Sequence, residues 1–261
     1  MPELPEVEAA ARQIRRAALG KTILAVKAIH PSLKKKFSPA QARAVKGRRI
    51  ENIERRGKHQ LLLLDSGDTI VVHFRMNGDW EVGTVEEPLD RFARAAIDLT
   101  DGTRISLVDR RALSSITLDK KGESSLPRLG REASDAALDA DYLIDVLRRK
   151  KIAIKPALMD QSVIAGLGNI YAAEALWEAK IDPRCPAAEV SRTKLETLVE
   201  AIRVVLSPKN RRPGRYTDKQ GVERFAVYDR EGEECRRGDG VIERIVQAGR
   251  STYFCPNCQR T

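Results

Sequence analysis

Met1-Pro2-Glu3-Leu4-Pro5-Glu6-Val7-Glu8 opens the chain, and two readings of it compete. In the plainer one, Pro5 starts a helix at its first position, Glu6 and Glu8 favour the first turn electrostatically, and Pro2-Glu3 is a frayed end. In the other, removal of Met1 makes Pro2 an N-terminal secondary amine with a pKa of about 8, partly unprotonated at neutral pH. Such an amine attacks an aldehyde-level carbon to give an iminium ion, and Glu3 stands beside it to move protons. Either way the spacing of Val7, Ala10, Ala11, Ile14 and Ala18 predicts an amphipathic helix over Glu6 to Ala18, stopped by Gly20.

Beyond that helix the period changes to two. Thr22 to Ile29, Arg49 to Arg55, His59 to Leu64, Thr69 to Phe74, Asp79 to Val82, Ala95 to Leu99, Arg104 to Val108 and Ser115 to Leu118 read as short strands, several separated by Gly-Asp, Asp-Gly or Asn-Gly turns. So many strands in that span predict a β-sandwich. Lys120 to Asp135 is rich in charge, Gly, Ser and Pro and reads as an interdomain connection. Helical spacing begins after Leu138. Lys155-Pro156 reads as a helix start, Gly166-Leu167-Gly168-Asn169 as a turn with Asn169 capping a helix over Ile170 to Ala179, and Ser191 to Leu206 as a further helix. A basic loop from Lys209 to Arg215 leads to Phe225.

Lysine and arginine number 47 against 37 acidic residues, a formal net charge of +10. That excess points to a polyanionic partner. Nucleic acid fits better than a membrane, because no apolar run approaches the roughly 20 residues a spanning helix needs and no charged-then-apolar leader precedes Pro2. A soluble, cytoplasmic, nucleoid-associated monomer is expected. Of the cysteines, Cys235, Cys255 and Cys258 cluster near the C-terminus while Cys185 stands apart, a distribution more typical of a metal module than of a disulfide framework.

Five separated stretches then converge. The opening octapeptide, Arg55-Arg56-Gly57-Lys58, Ile154-Lys155-Pro156-x-Leu158-Met159-Asp160-Gln161, Gly166-x-Gly168-Asn169-Ile170-Tyr171-Ala172-x-Glu174 and Arg250-Ser251-Thr252-Tyr253-Phe254-Cys255-x-x-Cys258 together resemble the formamidopyrimidine-DNA glycosylase and endonuclease VIII family, in order and across the whole chain. The resemblance implies an α+β protein in two lobes: an N-terminal catalytic β-sandwich with its helix (1–130), a helix-two-turn-helix DNA-binding domain (131–224) and a zinc-ribbon-like hairpin (225–261). It implies base excision repair of damaged double-stranded DNA by a bifunctional glycosylase and apurinic/apyrimidinic-site lyase, without an organic cofactor.

Carried over residue by residue, Pro2 would be the Schiff-base nucleophile at C1′ and Glu3 the acid and base that assists sugar opening and base release. Lys58 matches the proton donor of β-elimination, although a lysine at a strand start is ordinarily a solvated group. Arg250 matches the hairpin arginine that clamps lesion phosphates and assists δ-elimination. Lys155 and Asn169 match phosphate contacts, with Gly166 and Gly168 presenting backbone N–H groups to the same region. Lys150 matches another DNA contact within a run that otherwise reads as a solvated basic face. Flipping a base out of the stack leaves a gap to fill. Met76 matches the filling methionine, Arg111 or Arg110 the arginine, and Leu113 stands where the family has phenylalanine; ordinary core packing is the alternative for Met76 and Leu113.

Two features depart from the family. Its Cys-x2-Cys, spacer, Cys-x2-Cys signature is a tetrahedral zinc site. Here the first pair reads Cys235-Arg236-Arg237-Gly238, so Gly238 takes the place of a ligand, leaving Cys235, Cys255 and Cys258, with Asp239 or water as candidates for the fourth position and a metal-free hairpin as the rival. The segment from Ser207 to Phe225, which corresponds to the loop over the flipped base, is short and basic. Oxidised purines (8-oxoguanine and formamidopyrimidines) are the expected lesions and oxidised pyrimidines the alternative. From other classes, a non-catalytic damage-binding protein or a basic zinc-ribbon RNA binder would not need Pro2, Glu3 and Lys58 together.

Overall fold

A computed structural model describes residues 1–207 and 225–260; the basic loop from Lys209 to Arg215 therefore lies outside the described residues. The chain divides into two compact units, Met1–Pro127 and Arg128–Thr261, and the boundary falls inside the connection read from composition.

In the first unit, helix α1 (Leu4–Ala18) starts two residues earlier than its apolar spacing indicates, because Glu3 serves as the N-cap with its own N–H bonded to Glu6 Oε2 at 3.0 Å. It buries Val7, Ala10, Ala11, Ile14 and Ala18, and the chain leaves through Gly20 at φ +75°. Strand β1 (Ile23–Ala28) follows. Two short helices then appear that the sequence reading left blank, α2 (Pro31–Lys34) and α3 (Pro39–Val45); the second carries a capping box in which Ser38 and Gln41 bond each other's backbone N–H. All the expected strands form, with ends moved by a residue or two: β2 (Ile50–Arg56), β3 (His59–Leu64), β4 (Thr69–His73), β5 (Asp79–Thr84), β6 (Ala93–Leu99), β7 (Thr103–Val108) and β8 (Ser115–Asp119).

They build two antiparallel four-stranded sheets, ordered β1-β6-β7-β5 and β2-β3-β4-β8. One buried core holds side chains of both, including Ile23, Ile97, Ile105 and Trp80 from the first and Ile53, Leu62, Val72 and Ile116 from the second, with Val7 and Ile14 of α1 joining them. Burial of this apolar surface is the main force holding helix and sheets together. It also fixes register, since a one-residue slip would turn each strand's buried side chains outward.

In the second unit, the two-residue strands β9 (Arg131–Glu132) and β10 (Ile164–Ala165) pair in parallel. Helices α4 (Ala140–Leu147), α5 (Ile154–Met159), α6 (Asn169–Glu178) and α7 (Arg192–Leu206) make the helical part; Asp139 and Ser191 cap α4 and α7. Pro156 is the third residue of α5 rather than its first, and Gly168, not Asn169, is the N-cap of α6. The hairpin β11 (Glu243–Gln247) and β12 (Arg250–Phe254) packs on α6 through a cluster of Ala173, Val227, Cys235, Ile242, Tyr253 and Cys255. Glu174, on α6 and only 7% exposed, accepts the N–H groups of Ala226, Val227 and Tyr228 at 2.7, 2.9 and 2.9 Å. Burial pushes its carboxyl above the usual range, and the three donors oppose that shift.

Candidate nucleophile and nucleic-acid interface

The N-terminus is not frayed. Pro2 is half-buried, and Glu3 at the helix cap is 1% exposed. Lys58 occupies the turn between β2 and β3, where Gly57 takes φ +57°. The sequence alone favours a solvated lysine there, yet Lys58 is 6% exposed. The turn is tied to the helix that carries Pro2: Arg55 donates from Nε to Glu8 Oε2 at 3.0 Å and from Nη1 to Gly57 O at 3.0 Å. Next to the turn, His59 and His73 face each other across β3 and β4 with ring centroids 4.6 Å apart. Burial, then the positive fields of His59, Arg75 and Lys58, hold His73 down to about 3, and its Nδ1 accepts the Arg75 N–H at 2.9 Å. Both rings are therefore uncharged at neutral pH.

Met76 and Leu113 are not core residues: they are 38% and 44% exposed. Each sits on a tightly specified turn. After β4, Arg75 takes φ +56° and the chain closes on Gly78, whose N–H bonds Phe74 O at 3.0 Å; a Cβ at Gly78 would meet that oxygen at 2.7 Å, so only glycine fits. After β7, the buried Asp109 carboxylate accepts the N–H groups of Arg111, Leu113 and Ser114 at 2.9, 2.7 and 2.7 Å, with Ala112 at φ +53°. Both arginines of that loop are exposed, but Arg110 is drawn over the Phe92 ring at 5.4 Å.

In the second unit Lys155 is 1% exposed. Its Nζ donates to Asn169 Oδ1 at 2.6 Å, Thr252 Oγ1 at 2.8 Å and Ser251 O at 3.0 Å, and Asn169 Nδ2 donates to the same Ser251 O at 3.0 Å. An ammonium has three donors. These three bonds join α5, the start of α6 and β12. Gly166, at φ +92°, likewise gives its N–H to Gln161 Oε1 at 3.0 Å rather than outward. Gly168 remains at the α6 N-terminus, where the helix dipole favours an anion. Lys150 is ion-paired to Asp160 at 2.9 Å, which holds that carboxyl below its usual range together with Ser162, against partial burial. Arg250 is exposed beside the Ala248-Gly249 turn, at φ +48° and +71°, and lines a depression of about 220 Å³ with Lys155, Met159 and Gln247.

Cys235, Cys255 and Cys258 converge, their sulfurs all within 4.8 Å of one another and those of Cys235 and Cys258 at 3.9 Å. Zinc–sulfur bonds of about 2.3 Å give a tetrahedral edge of about 3.8 Å, so the three thiols fit three ligand positions. Trp177 Nε1 donates to Cys235 Sγ at 3.4 Å. Burial of Cys235 is outweighed by that donor, the Arg237 backbone N–H and the neighbouring thiols, so its thiol lies below the usual range, whereas burial and the adjacent thiols push Cys258 up to about 12.

The two-sheet unit with a capped, buried N-terminus and the helical unit with its cysteine hairpin match a known set of modules. The formamidopyrimidine-DNA glycosylase N-terminal domain matches residues 1–116, the H2TH domain of the same enzymes 129–213, and the zinc finger found in FPG and IleRS 232–261. The formamidopyrimidine-DNA glycosylase of Chloroflexus aurantiacus is 40% identical, with 100% of this chain and 98% of the relative covered. A MutM structure in complex with carbocyclic 8-oxo-G containing DNA superposes with a TM-score of 0.89 at 30% identity, covering 100% of both chains. Lactococcus lactis FPG in complex with a FAPY-dG containing DNA gives 0.89 at 29% identity, covering 99% of this chain and 100% of that one. The chain belongs to the formamidopyrimidine-DNA glycosylase family.

Proposed function

We propose that the protein is a base excision repair enzyme that removes oxidised purines from double-stranded DNA and then cleaves the abasic strand. The relatives whose structures hold 8-oxo-G and FAPY-dG DNA support the lesion class. The division of labour follows the sequence: residues 1–130 carry the chemistry, 131–224 the helical DNA contacts and 225–261 the hairpin. With Met1 removed, the Pro2 nitrogen attacks C1′, the bond from C1′ to the damaged base breaks, and the base departs with a proton. Glu3 moves protons between the amine and the sugar oxygen as the C1′–O4′ bond breaks, so that the opened sugar is held on Pro2 as an iminium. The resulting iminium acidifies the neighbouring C2′–H, and loss of that proton expels the 3′ phosphate by β-elimination, with Lys58 in proton transfer; a second elimination releases the 5′ phosphate.

One observation carries this reading. Glu3 and Lys58 are both charged residue types, both buried, and tied to one frame through Glu8 and Arg55. Burying such groups costs free energy, and a protein that only binds damaged DNA gains nothing from it. On the binding side, Arg250, Asn169 and the α6 N-terminus at Gly168 supply phosphate contacts, Lys150 adds charge, and Lys155 holds Asn169 and the hairpin in place. Met76, Arg111 and Leu113 fill the gap left by the flipped nucleotide; Arg111 is preferred because Arg110 is engaged with Phe92. Cys235, Cys255 and Cys258 would hold a zinc ion, which when bound supplies folding free energy to the hairpin rather than chemistry.

Borohydride reduction provides the test. Processed protein incubated with duplex DNA carrying 8-oxoguanine should become covalently trapped, and protein that retains Met1 should not. Equal trapping with Met1 in place would sink the assignment to Pro2.

A further inference from the structure

The cysteine centre provides three sulfurs for four tetrahedral positions, and its surroundings show what became of the fourth. Gly238 stands at the spacing of the missing cysteine, exposed and at φ +70°, a backbone conformation that strains any side chain even though a Cβ there would meet nothing within 4 Å. Among the described residues the group gathered within 4.8 Å consists of the three sulfurs, without a carboxylate or imidazole. Cys258 is only partly buried, so the group is open to solvent at that sulfur.

A cation has been placed beside it instead. The Arg237 guanidinium lies over the Trp177 ring at 3.7 Å, donates from Nη1 to Trp177 O at 2.5 Å and from Nη2 to Glu178 O at 3.2 Å, and brings Nη1 to 3.7 Å from Cys258 Sγ. Carbonyls at the end of α6 are the negative pole of that helix, which fixes the guanidinium there. Three thiolates around a divalent ion carry one net negative charge; the guanidinium beside them offsets part of it, since its charge is shared with the Glu178 carboxylate 3.6 Å from Nη2.

We propose that this centre binds a divalent metal ion through Cys235, Cys255 and Cys258, takes its fourth ligand from solution, with a small external thiol as the best-suited class, and uses Arg237 to offset the charge of the bound thiolates. The proposal rests on the zinc reading above and deepens it. An external thiolate fits because the ion is already in a soft sulfur field. Arg237 is a positioning residue; it touches sulfur, not metal.

Full-length protein, stripped of metal and kept reduced with a phosphine rather than a thiol, is titrated with cobalt(II) and its visible absorption followed. The expected result is one cobalt per chain with the spectrum of three sulfurs and one lighter ligand, moving to longer wavelength and gaining intensity when 2-mercaptoethanol is added. Gly238→Cys should show the four-sulfur spectrum from the start and ignore the added thiol. Arg237→Gln should keep the thiol response but lose cobalt to a chelator about tenfold more readily, the scale of an outer-shell partner. A natural-protein spectrum unmoved by 2-mercaptoethanol overturns the open position, unchanged retention in Arg237→Gln overturns the role of Arg237, and failure of the reduced protein to take up cobalt overturns the centre. Borohydride trapping at Pro2 is read separately, so loss of this proposal and loss of the glycosylase reading are distinguishable.

Discussion

Lys58 and Lys155 are both buried, one in each unit, and they are buried for different reasons. Lys155 is enclosed by oxygen: an amide, a hydroxyl and a backbone carbonyl take its three donors. Lys58 lies close enough to His73 for its charge to help keep that ring neutral. A cation whose donors end on internal oxygens contributes to folding, whereas a buried cation that perturbs a neighbouring titratable ring marks a candidate working site. Burial alone does not tell a structural lysine from a working one; the chemistry of the neighbours does.

Substitution tests that contrast most sharply. Lys58→Gln should lower strand cleavage by about 10²–10⁴-fold, the usual contribution of a proton-transfer group, while thermal unfolding stays close to the natural protein. Lys155→Met should do the reverse, with unfolding free energy reduced by about 3 kcal/mol as three oxygens lose a charged donor, and the salt dependence of DNA binding changed by less than about one counterion. If Lys155→Met left stability alone and removed a full counterion, the contrast would collapse.

A smaller effect concerns pH. His73 is neutral in the fold down to about 3, whereas its unfolded value is 6.5. Between those values the unfolded chain binds the extra proton, so the stability conferred by the neutral ring is complete above about pH 6.5 and is lost as pH falls toward 3. In His73→Gln the drop in melting temperature between about pH 7 and about pH 5 should be visibly shallower. An identical drop would mean that His73 does not set this acid sensitivity.

The smallest expected change is at the wedge. Leu113→Phe restores an aromatic ring at an exposed loop position already fixed by Asp109. Discrimination among bases opposite the lesion, measured as relative kcat/KM, should rise by up to about 1–3 kcal/mol, the range of base–aromatic stacking, with little change in stability. No change in the ratio would mean that the ring does not reach the estranged base.

The sheets were the legible part of the sequence, because period-two runs bounded by Gly and Asp leave little else for those residues to form. Helices α2 and α3 were missed although Ser38-Pro39-Ala40-Gln41 is a readable cap; the lysines around it masked the few apolar positions. Asn169 reads as a cap by residue type, yet its side chain is taken by Lys155 and Ser251, and that competition is set by a hairpin some eighty residues on. Glu174 lay in plain view within a motif, but its partners at 226–228 carry no local signal. Exposure of Met76 and Leu113 was equally hidden, since it depends on Gly78 and Asp109 shaping two turns. Motif resemblance named candidate residues that local pattern could not, and the structure shows which of them are exposed and which are buried.

Glu174 and Lys155 also bear on how the chain is made. During synthesis both emerge from the ribosome well before residues 226–228 and 251–252, whose backbone and hydroxyl groups they need. Until then the helices must either leave a carboxylate and an ammonium in water or bury them unmatched. Docking of the hairpin is thus the step that locks the helical part, and a nascent chain cut short before it would present two stranded charges and an apolar α6 face to the proteases that clear incomplete products.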